Sequence, residues 1–466
     1  MSYTWKTGRA ISLLIAAVGM APAQTFTTLA SFDWKNGANP TFMALTQGLD
    51  GVLYGTTTKG GTYGFGTIFK ITSSGLTNVY NFDETDGSLP MGKLLLATDG
   101  NLYGTTETGS YGTFEGGTVF KITPAGVVPA FYSFDGGGPG AANPNAGLIE
   151  ATDGNFYGTS IYRGVGGSGV AYRMTPAGVV TTLHSFDWYQ PPNGAFPYAP
   201  LMQAADGALY GTTAAGGAEM DGYISDYGEV YKITNEGESV VASFGGINGS
   251  APYAGLLQAS DGLFYGTTTG GGTFGQGIVF RLTPDGALTT LHSFDTEDGA
   301  VPYGALIQAT DGDLYGMTSI GGASNAGTIF KITLAGELTV LHSFVPATEG
   351  ESPNGSLFQA TNGYLYGVTS AGGAYGKGTI FKLSVGLGPF VIPVPDSGTV
   401  GTTVNLLGTD LGGRIAVTFG GVPAGLTFTS ATQITAIVPA GAVSGKIAVS
   451  TSGGTLLSNV AFTVRQ

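Results

Sequence analysis

Two short acidic segments have the composition of a calcium-binding loop. They read DETDG and DTEDG, and they pair Asp83 with Asp86 and Asp295 with Asp298. Calcium favours several oxygen ligands, which carboxylates provide. Neither segment has the spacing of a known calcium loop, and aspartate side chains also stabilise turns. Turn formation is therefore the favoured interpretation. We predict no organic cofactor, and calcium is the candidate ion.

Three histidines are the other candidates for chemistry. His184, His292 and His342 each lie in an LHSF sequence, where a serine follows the histidine. A serine nucleophile needs a histidine and an orienting acid that converge on one site. The three histidines occupy one position of a sequence repeat, so they should lie far apart. We predict neither a metal cluster nor a catalytic triad, and we assign no catalytic residue.

Aromatic and acidic residues gather between residues 187 and 229, where the sequence predicts a ligand-binding site. This stretch contains an FDWY sequence and the insertion AAGGAEMDGYISDYGE (214–229), and a second FDW occurs at 32–34. Exposed rings of this kind can stack on sugars, although loop packing explains them equally well. The two tryptophans should lie on nearly opposite loops and form no joint clamp. The candidate residues are Trp34, Asp187, Trp188, Tyr189, Asp221 and Asp226.

A sequence repeat determines the strands and loops that position these residues. The sequence LYGTT or a close variant occurs seven times, about every 50 residues, and fills residues 25–385. Its tyrosines are Tyr54, Tyr103, Tyr157, Tyr210, Tyr265, Tyr315 and Tyr366. Because seven copies cannot all be one catalytic site, we interpret this motif as structural.

Each unit contains four strand-like runs, such as PYGALIQAT, DLYGMTS, GTIFKIT and ELTVLHSF in the sixth. The first two are joined by Asp-Gly, a hairpin signal. The pattern predicts an all-β, seven-bladed β-propeller over residues 24–385. The first run, TFTTLASF, is a fourth strand without predecessors, and the last unit stops after its third strand. The N-terminal strand should therefore close the ring, which leaves no open sheet edge; an open solenoid is the alternative.

A basic residue recurs at the end of each third strand. We predict that each of these residues pairs with, or lies close to, the hairpin acid of its own blade, for example Lys70 with Asp50, in preference to forming an anion-binding ring. The residues are Lys70, Lys121, Arg173, Lys232, Arg281, Lys331 and Lys382.

Residues 1–23 have the features of a secretory signal peptide: two basic residues, a short apolar run and a small-residue APA site.

Removal of residues 1–23 would leave 15 basic and 31 acidic residues, a net charge of −16. Such a surface excludes nucleic acid and disfavours anionic membranes, because both need a basic footprint. The chain has no cysteine, which excludes thiol chemistry, and we expect no membrane insertion after signal removal.

The pattern DGxLYGTTxxGG…GTxFKITxxGxxTxLHSFD resembles the GloVer tandem repeat of bacterial choice-of-anchor proteins. This resemblance implies export and a surface or extracellular setting, and it implies no established activity.

The short strands and turns of residues 386–466 predict an immunoglobulin-like β-sandwich. The segments VTFGGVPA and VPAGAVSGKIAVSTSGG also resemble the IPT/TIG family. Such domains commonly space or dock other domains.

We expect a secreted or cell-surface protein that binds or adheres without catalysis. The expected partner is a glycan or a cell-surface protein, and the chain should be a monomer. The alternatives are an extracellular lyase or hydrolase that acts on polysaccharide or small molecules, and a structural surface protein. A carboxylate pair, or a carboxylate–histidine pair, facing the central channel would favour the enzyme.

Overall fold

The computed structural model describes residues 24–83, 85–109, 116–123, 126–134, 140–189, 194–217, 227–413 and 415–465. The predicted signal peptide, residues 1–23, lies outside these ranges. Within them, no helix is long and apolar enough to cross a membrane.

Seven four-stranded antiparallel sheets follow one another in the described chain as propeller-like blades, numbered 1 to 7 in order of sequence. The first strand is β1 (Thr25–Ser31). Blade 1 has β2 (Thr46–Gln47), β3 (Leu53–Thr57), β4 (Thr67–Thr72) and β5 (Gly75–Asn81). Blade 2 has β6 (Ser88–Leu96), β7 (Leu102–Thr108), β8 (Thr118–Thr123) and β9 (Gly126–Ser133). The short pair β10 (Ala141–Ala142) and β13 (Tyr162–Arg163) flanks blade 3, which has β11 (Ile149–Glu150), β12 (Phe156–Ser160), β14 (Val170–Met174) and β15 (Val180–Ser185).

The later blades repeat this arrangement. Blade 4 has β16 (Met202–Gln203), β17 (Leu209–Thr213), β18 (Glu229–Thr234) and β19 (Gly237–Ser243). Blade 5 has β20 (Leu257–Gln258), β21 (Phe264–Thr268), β22 (Ile278–Leu282) and β23 (Leu288–Ser293). Blade 6 has β24 (Ile307–Gln308), β25 (Leu314–Thr318), β26 (Thr328–Ile332) and β27 (Leu338–Ser343), and α1 (Pro346–Glu349) follows it. Blade 7 has β28 (Phe358–Gln359), β29 (Leu365–Thr369) and β30 (Thr379–Ser384).

The strand β1 completes blade 7. It pairs antiparallel with β30, with Thr25 opposite Ser384 and Ser31 opposite Thr379, and the sheet order is β1-β30-β29-β28. The ring of Phe26 stacks on the ring of His342 in blade 6, with centroids 4.0 Å apart. The predicted pairing of the first strand with the last repeat unit is therefore confirmed.

An aspartate–tyrosine hydrogen bond fastens the first hairpin of blades 1 to 6. In blade 6 the Asp311 carboxylate accepts hydrogen bonds from Tyr315 Oη (2.7 Å) and from the Asp313 N–H (3.2 Å). The same tyrosine contact recurs in Tyr54–Asp50, Tyr103–Asp99, Tyr157–Asp153, Tyr210–Asp206 and Tyr265–Asp261. The repeated tyrosine thus packs in the sheet and supplies its hydroxyl to the turn, which is a structural role.

The glycine after this tyrosine makes room for an aromatic ring. A Cβ placed on Gly316 would lie 2.4 Å from Phe330 Cζ on the neighbouring strand, and Gly55 meets Phe69 in the same way at 2.6 Å. Only a residue without a side chain leaves this space free for the ring. The ring of the third strand, rather than another backbone segment, occupies the space.

A glutamine at the end of the first strand links neighbouring blades. Gln308 Oε1 accepts a hydrogen bond from the Ser260 N–H of blade 5 (2.9 Å). The bond recurs between Gln359 and Thr310, Gln258 and Ala205, and Gln203 and Thr152, and Glu150 accepts the equivalent bond from Thr98. Gln47 of blade 1 accepts the Thr361 N–H of blade 7 (3.2 Å). The series of bonds therefore continues from blade 7 to blade 1.

The basic residues of the third strands follow the prediction in part. Lys121 pairs with the hairpin acid Asp99 at 3.0 Å, and Lys232 pairs with Asp206 at 2.9 Å. Lys331 instead pairs with Asp313, two residues beyond the hairpin acid of its blade, at 2.6 Å. For the quoted example, Lys70 with Asp50, no ion pair forms. The Asp50 carboxylate accepts hydrogen bonds from Tyr54 and from a turn N–H, as Asp99 and Asp206 also do beside their lysines.

The C-terminal domain consists of two sheets around one core. One sheet contains β31 (Ile392–Val394), β33 (Thr403–Leu407), β37 (Gln433–Ile437) and β36 (Leu426–Ser430). The other contains β32 (Ser397–Gly398), β39 (Gly454–Val464), β38 (Gly445–Thr451), β34 (Ala416–Phe419) and β35 (Val422–Ala424). Alternate residues such as Val404, Leu406, Ile447 and Val449 are buried between the sheets, as expected for a sandwich.

This domain packs against the end of the blades that carries the first hairpins. Arg465 Nη1 donates a hydrogen bond to the Thr152 carbonyl in blade 3 (2.7 Å). In blade 7, the hydroxyls of Thr361 and Thr409 share a hydrogen bond of 2.9 Å, and the Phe390 N–H donates to the Thr361 carbonyl (3.0 Å). The domain therefore covers part of the hairpin end and leaves the opposite end of the blades open.

Candidate functional site

The opposite end carries two kinds of connection, which run from the second to the third strand of a blade and from the fourth strand to the next blade. Antiparallel pairing places both at the same end of each sheet. We call this end the loop face. All of the predicted binding residues that the structure describes lie on it.

Asp187, Trp188 and Tyr189 follow β15 and lead into blade 4. The Asp187 carboxylate accepts the Tyr189 N–H (2.9 Å), and the Trp188 N–H donates to Ser168 Oγ (3.2 Å), so the turn is fixed. The Trp188 ring is half-buried and packs against Phe196, with centroids 5.4 Å apart. Tyr189 is 82% exposed. Trp188 thus supports the loop, and Tyr189 presents a ring to solvent.

Trp34 occupies another sector of the loop face, between blades 7 and 1. Its carbonyl accepts hydrogen bonds from the N–H groups of Gly37 (3.3 Å) and Gly61 (2.7 Å), which hold its backbone at φ 77. The ring is 44% exposed, and Lys377 Nζ lies 5.5 Å from its centroid in a cation–π contact. Because Trp188 packs in blade 4 instead, the structure does not join the two tryptophans in one site.

Asp221 and Asp226, the acidic candidates of the blade 4 insertion, lie outside the described residues. At the described edge of this insertion stands Glu229, which is fully buried. Neither of its carboxylate oxygens has a hydrogen-bond partner among the described residues. Burial, reinforced by the charge of Glu238, raises the pKa of Glu229 to about 9. The side chain is therefore protonated at neutral pH.

Glu229 stands at a position where other blades have a threonine that hydrogen-bonds to a second threonine. In blade 6, the hydroxyls of Thr318 and Thr328 share a hydrogen bond of 2.8 Å. The same pair recurs as Thr57–Thr67, Thr106–Thr118 and Thr369–Thr379. In blade 4 the second threonine of the pair is replaced by Glu229, and Thr213 keeps the bond to the Ala215 carbonyl (3.0 Å) that Thr318 makes to the Ile320 carbonyl.

The acidic loops proposed for calcium form reciprocal turns. Asp83 Oδ1 accepts the Thr85 N–H (3.1 Å), and Asp86 Oδ1 accepts the Asp83 N–H (3.1 Å). The remaining oxygen of Asp86 accepts a hydrogen bond from Tyr80 Oη. In the part of the chain that the structure describes, no three acidic or histidine side chains converge as metal ligands. Calcium binding at this loop stays a prediction, and its geometry is that of a turn.

The second acidic loop repeats this geometry with a histidine. Asp295 Oδ1 accepts the Glu297 N–H (3.0 Å), and Asp298 Oδ2 lies 2.6 Å from His292 Nε2. His342 makes the equivalent contact with the Glu349 carboxylate at 2.8 Å. Both histidines lie on fourth strands, at the opposite edge of the sheet from the first strands. They hold the loop that leaves the blade.

A set of exposed rings on the loop face was not predicted. They stand in a GGxYG or GGxFG sequence between the second and third strands of three blades: Tyr63, Phe274 and Tyr375. In the described part of residues 24–385, every exposed large aromatic side chain lies in a loop-face connection. The recurring aromatic between glycines was the signal in the sequence.

A second row of rings lies nearer to the first strands. Neighbouring rings run from Tyr198 to Tyr253 (4.8 Å), from Tyr253 to Tyr303 (5.5 Å) and from Tyr303 to Phe42 (5.5 Å). Burial, and then neighbouring tyrosines and Glu107, raise the pKa of Tyr198 to about 12. Burial also raises the pKa of Glu107. The recurring Pro-Tyr before the first strand was the sequence signal for this row.

The repeat units match a known protein family. A model of the Gloeobacter/Verrucomicrobia repeat matches residues 18–110, 93–227 and 220–422. The chain belongs to the Gloeobacter/Verrucomicrobia repeat family. In this repeat protein an IPT/TIG domain also matches residues 393–464, which confirms the predicted C-terminal module. No curated protein sequence matches the chain.

Three solved structures superpose in part on this repeat protein. A periplasmic gluconolactonase of Pseudomonas aeruginosa is 18% identical, with a TM-score of 0.42, over 72% of this chain and 96% of the other. A Dyadobacter fermentans protein of unknown function is 10% identical, with a TM-score of 0.43, over 78% and 99%. A Bacteroides thetaiotaomicron protein of unknown function is 13% identical, with a TM-score of 0.40, over 78% and 76%.

Proposed function

We propose that this repeat protein is a secreted or cell-surface binding protein without catalytic activity. In this proposal the blades form a closed seven-bladed β-propeller, and its loop face binds glycan or other cell-surface material. The observation that carries the proposal is the restriction of exposed aromatic rings in the described repeat residues to loop-face connections. Flat rings with one polar edge suit both sugar faces and protein surfaces.

The position of the C-terminal domain supports the choice of face. Its contacts with Thr152 and Thr361 occupy the hairpin end of the blades. A large partner would therefore approach more freely from the loop face. The net negative charge of the chain disfavours nucleic acid as that partner.

The strongest sector within the loop face is the turn before blade 4. Tyr189 is the most exposed aromatic side chain there, and the hydrogen bonds of Asp187 and Trp188 hold its backbone in place. A pre-formed turn loses little conformational entropy when a ligand binds. Trp188 would contribute mainly by supporting Tyr189.

A glycan array probed with the purified protein tests this proposal. We expect saturable binding to a subset of glycans, and a tenfold or greater loss of affinity in Tyr189→Ala, because aromatic hot spots contribute about 2 kcal/mol or more. A Trp188→Ala, Tyr189→Ala double variant should lose binding while its melting temperature stays close to that of the parent.

Phe428→Ala provides the matched control, because Phe428 is an exposed aromatic residue of the C-terminal domain. It should bind like the parent. Equal affinity of the parent and the double variant would reject the blade 4 sector. The complete absence of binding to glycans and to cell surfaces would favour the structural alternative.

A further inference from the structure

A cavity of about 820 Å³ lies between the first strands of several blades and the C-terminal domain. Its propeller side is lined by Thr46, Ile149 and Phe358, and its domain side by Ile392 and Val394. The volume is within the range of small-molecule sites, roughly 300–1,000 Å³. Most of these walls are apolar, so the cavity favours a ligand with an apolar body.

One charged side chain in this cavity breaks the repeat. Lys93 stands in β6, immediately before the buried leucine of the first strand. The six equivalent residues are small or neutral: Ala44, Gly147, Pro200, Gly255, Ala305 and Ser356. The repeat fold therefore does not need a lysine here, and its presence calls for a local explanation.

The Lys93 amine forms no ion pair or hydrogen bond with any described residue. Its nearest aromatic neighbour is Phe358, whose ring centroid lies 5.7 Å from Nζ. The side chain is exposed to the space of the cavity, and the surrounding protein lowers the pKa of its amine. An ammonium that faces a cavity without a protein partner can pair with an anion that enters it.

The other charged lining residues do not supply that anion. Both oxygens of Glu150 accept hydrogen bonds from Thr98, at 2.7 and 2.5 Å. Arg465 donates to the Thr152 carbonyl and to Ser397. Asp396 is on the domain side of the cavity and forms no ion pair with Lys93 in the part of the chain that the structure describes.

We propose that this cavity binds a small organic anion, with its carboxylate paired to Lys93 and its apolar body against Phe358 and Ile149. An apolar wall and one convergent charge are the usual elements of such a site. The anion would replace water at the amine and form a charge-assisted hydrogen bond there. The site is separate from the loop face and does not depend on the glycan proposal.

Binding of 8-anilinonaphthalene-1-sulfonate, a fluorescent anion with an apolar body, tests the inference on the full-length protein. We expect saturable fluorescence with one site per chain. Lys93→Met should weaken binding by about 10- to 100-fold, as expected for loss of a hydrogen bond to a charged group. Lys93→Arg, which keeps the charge, should retain most of the affinity.

Two matched comparisons make the test specific to the charge. Lys382→Met removes a lysine outside the lining of the cavity and should bind like the parent. Octanoate should displace the probe at least tenfold more effectively than octanol, because only the acid can pair with Lys93. Equal binding by the parent and Lys93→Met, with unchanged circular dichroism, would overturn the inference, as would equal displacement by octanoate and octanol.

Discussion

The buried acid of blade 4 gives a prediction that can be worked out from the structure. Glu229 has an ordinary pKa of 4.5, which rises to about 9 in the fold. Between these values the unfolded chain releases the proton and the folded chain keeps it. The unfolded state therefore gains relative stability as the pH rises through this window. Each pH unit in this window lowers the free energy of unfolding by about 1.4 kcal/mol. The total loss above pH 9 is about 6 kcal/mol.

The perturbation is Glu229→Gln, which keeps the shape of the side chain and removes its titration. At pH 5 the variant and the parent should differ by less than about 1 kcal/mol, because this pH exceeds the pKa of the glutamate in the unfolded chain by only half a unit. At pH 8.5 the variant should be more stable by about 5 kcal/mol. Glu238 is present in both proteins, so its own titration largely cancels in the difference.

Urea unfolding, followed by circular dichroism at pH 5, 7 and 8.5, measures this difference in free energy of unfolding. Glu236→Gln is the control, because Glu236 is exposed in the turn of the same hairpin, and it should show no pH-dependent difference. Glu229→Thr should also gain stability at high pH, since its hydroxyl can pair with Thr213 as in blades 1, 2, 6 and 7. A constant difference between Glu229→Gln and the parent across this pH range would refute the reasoning.

Two further predictions concern the junction of blades 7 and 1. Gly355→Ala should lower the free energy of unfolding by about 3 kcal/mol or more, because its Cβ would lie 1.8 Å from the Met43 carbonyl oxygen. Gly388→Ala, where a Cβ has no neighbour within 4 Å, is the control and should change stability by less than about 0.5 kcal/mol in urea unfolding. Gln47→Ala should cost about 1–3 kcal/mol, because it leaves the Thr361 N–H without its acceptor. A smaller loss than about 0.5 kcal/mol would show that this bond does not hold the junction.

The sequence was sufficient for the strand pattern because that pattern is local. Alternating apolar residues and Asp-Gly turns determine each hairpin within about 50 residues, and their repetition reveals the seven units. The truncated first and last units also predicted the pairing of β1 with β30, which the structure confirms. The IPT/TIG module was recognisable for the same reason, since its turn and strand segments are continuous in the chain.

The pairing partners of charged residues were harder to predict, because several acceptors compete at each hairpin. Asp50, Asp99 and Asp206 all accept hydrogen bonds from the tyrosine and from a turn N–H, yet the third-strand lysine forms an ion pair with Asp99 and Asp206 and not with Asp50. Such choices depend on the distances between side chains in the folded blade. Local sequence spacing does not determine these distances.

By itself, the sequence determined the number of repeats, the type of each strand and the places where the repeat is broken. The tertiary structure decided what those breaks mean. It packed Trp188 into its loop while it exposed Tyr189, and it buried Glu229 without a described partner. It also placed Lys93 in a cavity beneath a domain that begins some 300 residues later. Burial and long-range contact arise only when distant segments pack together, so the repeat pattern alone could not reveal them.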